Sequence, residues 1–575
     1  MRQIETGPVL KVRAVAGLHV VVLAWDFVSA PHLGPGVLPA PLHSLLGFAI
    51  EREELGADGE VLERYMLRGT RRFESKDPGL PAGTPVPLDE HPIQSFVWAD
   101  HTVRPATRYA YRVIPVHGTP KNLTVRTSDS TRVPIETEPE ADPTVIPGVP
   151  RHDLYINRGA IASQAYARRF GTREPNPGVP ASTPMRWLSR GLFEALLGFI
   201  GGARDQRFGL RAAFHEFRYQ PVANAFRRAA EGGAQVRIVY DAEGEFTIEN
   251  IQTLKNAGLY RPGIHIPRHS GEGAQHNNFI VLLSDGAPIA VWTGSVTISA
   301  SSLFGQASIG HVVWDPAVAR AYLEYWERLA ANLPPERLRA DNRAATPLPD
   351  GGPPETSVLP IFSPRDEAEG TPTLAWYAAR MAEADHLACL SVGARLDDAF
   401  RPALAAEREA LCYLLRDEEL EHGESIRREG AVLWAGGGRL DDGPLATFLE
   451  ETGNPINSNE YRHARFLLVD PLGDDPLVIA GSAGFCRPSQ WHNDGNMLVI
   501  RGDTRVADIY FSECLRIVDH HQTRHLVRQL DPGDRWNPDA GYLRESAEEW
   551  VRPHFDGHSY QSRRRAHFTR EGAPA

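Results

Sequence analysis

Residues 276–295 read HNNFIVLLSDGAPIAVWTGS, and residues 463–482 read HARFLLVDPLGDDPLVIAGS. Both stretches begin with His, place Phe three residues later, continue with apolar residues and end in Gly-Ser. Apolar runs of this length beside turn residues are typical of buried strands. The two stretches therefore predict the same strand–turn–strand unit twice in one chain.

The similarity continues downstream of both stretches. The offset is 187 residues from His276 to His463 and 188 residues in the next segment, where DPAVARAYLEYWERL (315–329) matches DTRVADIYFSECLRI (503–517). Self-similarity at a fixed offset indicates a duplicated structural unit. Two such α/β units, packed about a pseudo-twofold axis, would bring both His side chains to one phosphorus atom. That geometry suits cleavage of a phosphodiester, which needs a nucleophile and an acid on opposite sides of phosphorus.

The rest of the chain predicts further units. Segment 108–113, RYAYRV, alternates polar and apolar residues as a half-buried strand does, and the short strands around it favour a β-sandwich. Its context RPATRYAYRV resembles the Tyr-containing strand of fibronectin type III domains. Later segments alternate strand and helix, which predicts α/β sheets with parallel pairing. The predicted divisions are a β-sandwich domain 1–138, a linker 139–150, a first half 151–345, a linker 346–358, a second half 359–525 and a C-terminal extension 526–575.

Composition limits the class of function. The 575 residues carry a formal net charge of -12, which disfavours non-specific binding of nucleic acid or anionic lipid over the whole surface but allows a locally basic cleft. The four Cys form no C-x-x-C pair, as expected for reduced thiols. No signal peptide is evident, and no apolar stretch approaches the ~20 residues of a membrane span. We expect a cytoplasmic protein with no transmembrane segment.

The repeated His, Ser and Gly positions resemble the phospholipase D superfamily, whose signature in each half is H-x-K-x4-D followed by G-S-x-N. The resemblance covers residues 151–525. It implies an α/β fold of two α-β-α halves related by a pseudo-twofold axis, here preceded by the all-β sandwich. It also implies that one His attacks phosphorus to form a phosphohistidine and that the other protonates the leaving oxygen, with no metal or cofactor. His276 and His463 take these roles, and His276 is favoured as the nucleophile because the N-terminal His attacks in many members.

The motif departs from the family pattern at the positions that hold phosphate oxygens. Asn278 and Arg465 occupy the two Lys positions, and Thr297 and Gly484 occupy the two Asn positions. Losing one oxyanion donor costs roughly 10²–10³ in rate, so we expect weak turnover. The predicted substrate-binding residues are Asn278, Arg465, Ser295, Ser482 and Thr297, and the predicted supporting residues are Asp470, Asp494 and Gln306.

Three hypotheses follow from the sequence. The first is a phosphodiesterase that hydrolyses a phospholipid or a related phosphodiester. The second is a catalytically inactive binding or scaffold protein that keeps the fold, and the third is a nuclease, which the acidic charge disfavours. Because both halves lie in one chain, none of the three requires an oligomer.

Overall fold

The computed structural model describes residues 1–29, 38, 42–80, 84–159, 163–171, 175–271, 273–366, 370–393, 396–406, 408–416, 432–436, 464–528 and 542–570. No helix within these ranges is both long and apolar enough to cross a membrane.

The N-terminal region forms two antiparallel sheets around one core. The larger sheets have the orders β1-β2-β3-β9 and β11-β10-β4-β5, with β12 paired to β10. As predicted, Tyr109, Tyr111 and Val113 point into the core, where all three are almost fully buried. The likeness to fibronectin type III domains stays a prediction. The strands are β1 Arg2–Thr6, β2 Leu10–Ala16, β3 Val21–Phe27, β4 Leu45–Leu55, β5 Val61–Met66, β6 Arg68–Gly69, β7 Arg72–Phe73, β8 Val86–Pro87, β9 Val97–Asp100, β10 Arg108–Thr119, β11 Asn122–Val125 and β12 Thr131–Glu136.

The next region is an α/β unit built on a seven-stranded sheet. Its strands are β13 Arg151–Ile156, β14 Phe208–Phe214, β15 Gln235–Asp241, β16 His265–Arg268, β17 Asn278–Ser284, β18 Ala287–Gly294 and β19 Ile309–Trp314. Its helices are α1 Ser163–Phe170, α2 Thr183–Ser189, α3 Leu192–Gly201, α4 Gln220–Glu231, α5 Thr247–Asn256, α6 Pro316–Ala330 and α7 Pro335–Ala345.

A second seven-stranded unit follows. Its strands are β20 Val358–Ser363, β21 Leu387–Ser391, β22 Leu411–Arg416, β23 Val432–Gly436, β24 Phe466–Val469, β25 Leu477–Gly481 and β26 Gly495–Arg501. Its helices are α8 Pro372–Ala382, α9 Arg401–Ala405, α10 Arg487–Trp491 and α11 Thr504–Arg528. The C-terminal segment contributes β27 Tyr542–Leu543, α12 Ala547–Val551 and α13 Tyr560–Thr569.

The two seven-stranded sheets have the same strand order. The first runs β13-β19-β18-β17-β14-β15-β16, and the second runs β20-β26-β25-β24-β21-β22-β23. Each pair of neighbouring strands in the first sheet is parallel or antiparallel as the equivalent pair is in the second. The predicted α/β architecture is therefore observed, with mixed sheets. The pseudo-twofold axis between the halves stays a prediction.

The predicted parallel pairing is correct for only three strands of each sheet. The strands β14, β15 and β16 pair in parallel, as do their counterparts, whereas the other pairs are antiparallel. The reason is local in β17 and β18, which are joined only by Asp285 and Gly286. Both residues have positive φ (50° and 79°), the geometry of a tight hairpin, which can join only antiparallel strands.

Aromatic side chains at repeat positions make the same contact in both halves. The rings of Phe279 and Tyr322 meet edge to face at 5.1 Å, and those of Phe466 and Tyr510 do so at 6.0 Å. These four residues belong to one apolar core shared by both sheets, with α6 and α11 contributing to it. The repeat in sequence is therefore a repeat in packing.

The C-terminal segment covers the N-terminal sheets. Trp550 stacks on Phe96 at 5.9 Å, and its indole N–H donates to the Leu45 carbonyl at 2.9 Å. His554 packs beside Phe96, and burial lowers its pKa to about 4. Burial also lowers the pKa of His152 and His311, which hydrogen-bond each other at 2.8 Å.

These buried histidines predict an acid-sensitive fold. The pKa of each is lower in the folded state than the ordinary 6.5, so below about pH 6.5 the unfolded chain takes up protons that the folded chain refuses. The free energy of unfolding should stay level above that pH and fall as pH decreases, with His554 alone accounting for about 2 kcal/mol at pH 5. Urea denaturation at pH 7.5 and pH 5.0 measures the loss. The variant His554→Phe should lose about 2 kcal/mol less over this interval, and an equal loss in both proteins would contradict the assignment.

Candidate active site at the junction of the two halves

The segment containing His276 is hydrogen-bonded to the opposite half. The His276 amide donates to the Asp494 carbonyl at 2.8 Å, and the Asp494 amide donates to the Ala274 carbonyl at 3.0 Å. A matching bond joins the halves in the other direction, from the Ala464 amide to the Ala307 carbonyl at 2.9 Å. Asp494 and Ala307 are separated by the 187-residue offset of the repeat. The start of each repeated unit is therefore held by the other half.

His463 itself lies outside the described residues, so its predicted role as the second catalytic His stays a prediction. The next residue, Ala464, is buried, and its carbonyl accepts a hydrogen bond from the Ser391 hydroxyl at 2.8 Å. The chain beside His463 is thus anchored at the end of β21, in the same place in the second sheet as the end of β14 in the first.

Ser295 and Ser482 each fasten the end of one strand to its neighbour. The Ser295 hydroxyl accepts the Ile309 amide at 3.1 Å, and the Ser482 hydroxyl accepts the Asn496 amide at 3.2 Å. The carbonyls of Ile309 and Asn496 in turn accept the two serine amides. Both serines therefore hold neighbouring strands of their sheets together beside the junction. Their contact with substrate stays a prediction.

A buried amide network ties the two repeats together. The side-chain amide nitrogen of Asn496 donates to the side-chain oxygen of Asn277 and to the Ser482 hydroxyl, both at 2.9 Å. The Asn496 oxygen accepts the hydroxyls of Thr293 at 2.7 Å and Tyr322 at 2.9 Å. Asn277 and Asn496 are completely buried, so these bonds satisfy groups that water does not reach. Asn277 follows His276 directly, and the network therefore fixes the backbone next to the candidate nucleophile.

Asp494, predicted to support a catalytic His, uses its carboxylate elsewhere. The carboxylate accepts two hydrogen bonds from Arg268, at 2.8 and 3.3 Å, and both side chains are almost fully buried. Burial raises the pKa of Asp494, and the Arg268 guanidinium opposes that shift. Arg268 also donates to Asn332 and to the Leu333 carbonyl. Asp494 therefore holds His276 through its main chain, and Arg268 holds Asp494.

Each side chain at the predicted phosphate-binding positions contacts another protein group. Asn278 is buried; its amide nitrogen is 3.4 Å from the His276 carbonyl, and its side-chain oxygen has no hydrogen-bond partner among the described residues. Arg465 donates to the Ser482 carbonyl at 2.8 Å. The Thr297 hydroxyl is 2.9 Å from that of Ser299. None of these observations tests whether the three residues bind substrate.

The remaining predicted supporting residues have structural roles. Asp470 follows β24, and its carboxylate accepts the amides of Asp385, His386 and Leu387 at 2.8–2.9 Å. At ~3.3 Å per strand residue it lies about 16 Å along the chain from Arg465, beyond reach of one phosphate. Gln306 lies just before Ala307, and Ala307 is the residue that occupies the position equivalent to Asp494.

Two side chains next to His276, those of His215 and Asp241, are not among the residues predicted from the sequence. The His215 and His276 rings stack with their centroids 4.3 Å apart and their planes 27° apart. The His215 Nδ1 atom is 3.4 Å from the Asp241 carboxylate, which is almost fully buried. The Asn250 side chain donates to the carbonyls of both His215 and Asp241, which clamps the two strand ends together.

A signal for this pair exists in the sequence. His215 directly follows β14 in FHEF, and Asp241 ends β15 in VRIVYD. Polar residues at the carboxyl ends of adjacent parallel strands meet at one edge of a sheet, where ligands bind in open α/β folds. No group of three or more His, Cys, Asp or Glu side chains suited to a metal ion occurs within the described ranges.

Neither a protein-family model nor a curated protein matches the sequence. Solved structures with similar folds include phosphatidylserine synthase from Haemophilus influenzae Rd KW20, with 12% identity, a TM-score of 0.41, and coverage of 66% of this chain and 94% of that one. Polyphosphate kinase from Porphyromonas gingivalis has 11% identity and a TM-score of 0.37 over 58% of this chain; the match spans about half (48%) of that protein's length. Nuc from Salmonella typhimurium, a phospholipase D family member, has 22% identity and a TM-score of 0.21, covering 24% of this chain and 87% of that one.

All three TM-scores are below 0.5, so these likenesses do not bear on activity. The resemblance of this chain to the phospholipase D superfamily rests on the His-centred repeat in its sequence.

Proposed function

We propose that this protein is a phosphodiesterase that hydrolyses a phospholipid or a related phosphodiester through a phosphohistidine, without a metal or cofactor. The observation that carries the proposal is the position of His276. Its backbone is bonded to the opposite half, and its half-buried ring is stacked on a histidine that faces a buried carboxylate. This arrangement orients an imidazole at the junction of two similar halves, as attack on phosphorus requires.

The proposed reaction has two steps. A ring nitrogen of His276 attacks phosphorus, the bond from phosphorus to the leaving oxygen breaks, and that oxygen takes a proton from His463. Water then attacks the phosphohistidine and gives a proton to His463, the phosphorus–nitrogen bond breaks, and His276 is released. His463 gives up one proton in the first step and regains one from water in the second, and His276 is released unchanged, so neither histidine is consumed.

The net charge weighs against a nucleic-acid substrate. A formal net charge of -12 opposes the approach of a polyanion such as DNA, whereas a single phosphodiester carries one charge. A phospholipid or a related small diester is therefore favoured over nucleic acid.

A second candidate function is phosphate binding without turnover. Asn278 brings no charge to the junction, and the Arg465 guanidinium donates to a backbone carbonyl. Both features favour a site that binds an anion more readily than it stabilises the charge of a transition state.

Trapping the intermediate separates the two candidates. We expect that mixing the protein with bis(p-nitrophenyl) phosphate, followed by alkaline denaturation and mass spectrometry, will reveal His276 carrying a p-nitrophenylphosphoryl group, since one of the two aryl esters stays on phosphorus. The same experiment on His276→Ala should show no modified histidine and serves as the blank. Release of p-nitrophenol by the parent protein without any phosphohistidine would contradict the proposed mechanism.

A further inference from the structure

We infer that His215, whose ring faces the Asp241 carboxylate, binds the phosphoryl oxygens beside His276. This inference rests on the proposed function and deepens it. It assigns a substrate-binding role to a residue of β14's carboxyl end, outside the repeated motif. Phosphoryl transfer requires positive charge or hydrogen-bond donors next to the equatorial oxygens of phosphorus.

Two basic side chains at the junction, Arg268 and Arg465, bind protein groups. Arg268 is neutralised by the Asp494 carboxylate and is almost completely buried. Arg465 donates to the Ser482 carbonyl. Asn278, on the strand that leads from His276, carries no charge. A neighbouring strand can supply a further group that binds the phosphoryl oxygens in the first half.

His215 lies on the neighbouring strand, directly beside His276. In the antiparallel pairing of β14 with β17, Phe214 lies opposite Asn278, and the His215 amide donates to the Asn277 carbonyl at 2.9 Å. The side chain of His215 thus leaves the sheet beside His276, and the two rings stack.

A carboxylate and an aromatic ring flank the His215 side chain. Nδ1 faces the Asp241 carboxylate at 3.4 Å, which leaves the second ring nitrogen for an anion. The side chain is 12% exposed, so it is sheltered yet reachable. Phe246 meets the ring edge to face at 5.5 Å, and the neighbouring Glu216 is paired with Arg218.

Backbone hydrogen bonds fix the Asp241 carboxylate in place. Its Oδ1 atom accepts the amides of Glu243 and Gly244, both at 3.2 Å, and its Oδ2 atom is the one that faces His215. The replacement Asp241→Asn keeps an acceptor for the two amides and removes the negative charge. That variant therefore tests charge with little effect on the turn.

The test is a rescue experiment with bis(p-nitrophenyl) phosphate as substrate. We expect His215→Gln to lower kcat/KM by roughly 10²-fold, the cost of one oxyanion donor. Asn278→Lys supplies an ammonium from the opposite strand, so the double variant should recover to within about tenfold of the parent. Asp241→Asn should lower kcat/KM in the same direction, and Asn278→Lys should rescue it as well. A purely structural role of His215 would give the same loss whether or not the Asn278→Lys substitution is present, and that result would overturn the inference.

Two further measurements complete the design. His265→Gln replaces an imidazole of the same sheet that stacks on Tyr260 at 4.1 Å, and it should leave kcat/KM unchanged. Calorimetric binding of inorganic phosphate provides a readout that needs no turnover. His215→Gln should weaken this binding about tenfold or more, and Asn278→Lys should restore it; unchanged affinity would overturn the inference. Turnover that survives in His276→Ala would refute the proposed function, whereas the phosphate titration would still decide the role of His215.

Discussion

Replacing His276 with alanine is expected to reduce phosphodiester turnover by roughly 10³–10⁶-fold, as the loss of a covalent nucleophile does in other hydrolases. The structural reason is that the ring occupies the junction of the two halves and is oriented from both sides. The opposite half holds its backbone, and His215 stacks on its ring. Initial rates of p-nitrophenol release from bis(p-nitrophenyl) phosphate, in the presence of EDTA, measure the loss.

The control for this prediction is His558→Ala, which removes an exposed imidazole from the C-terminal segment. Its rate should equal that of the parent, and both variants should unfold at the parent's midpoint in urea. If His276→Ala retains turnover within tenfold of the parent, the assignment of the nucleophile is wrong.

Replacing Arg268 with methionine is expected to lower the free energy of unfolding by about 3–5 kcal/mol. The substitution leaves the Asp494 carboxylate completely buried without its cation, and the cost of an uncompensated buried charge exceeds that of a lost surface contact. Because the Asp494 main chain holds the His276 amide, we also expect the variant to lose turnover. Urea denaturation measures the first effect.

Two comparisons isolate the ion pair. The double variant Arg268→Met with Asp494→Leu removes both charges and should recover most of the stability, since apolar replacements of a buried pair are often neutral. The exposed helix pair Arg227–Glu231 serves as the matched control, and breaking it should cost less than about 1 kcal/mol. Equal losses from Arg268→Met and Arg227→Met would contradict the role given to the buried pair.

Much of the fold was predictable because the relevant signals are local or repeated. The Asp-Gly dipeptide at 285–286 indicates a hairpin, and it forms one. Alternation around Tyr109 and Tyr111 predicts a half-buried strand, and both rings enter the core. The offset of the repeat predicts two similar units, and the two sheets have the same strand order. Each of these signals depends on residues close in sequence or on direct comparison of two segments.

The candidate site was predictable only in part. His276 is identified by its place in the repeat, but the partners of Asp494 are not. Arg268 and Asp494 are 226 residues apart, and only the packing of one half on the other brings them together. Burial then forces the two charges to pair, because neither can be solvated by water.

The sequence by itself determined that this protein contains two similar α/β units, each headed by a histidine, because strand periodicity and self-similarity are written in the order of residues. Only the tertiary structure decided which side chains surround His276. His215 and Asp241 end neighbouring parallel strands, and their proximity to His276 depends on the order β17-β14-β15 within the sheet. Strand order is set by non-local packing, which residue spacing along the chain does not encode.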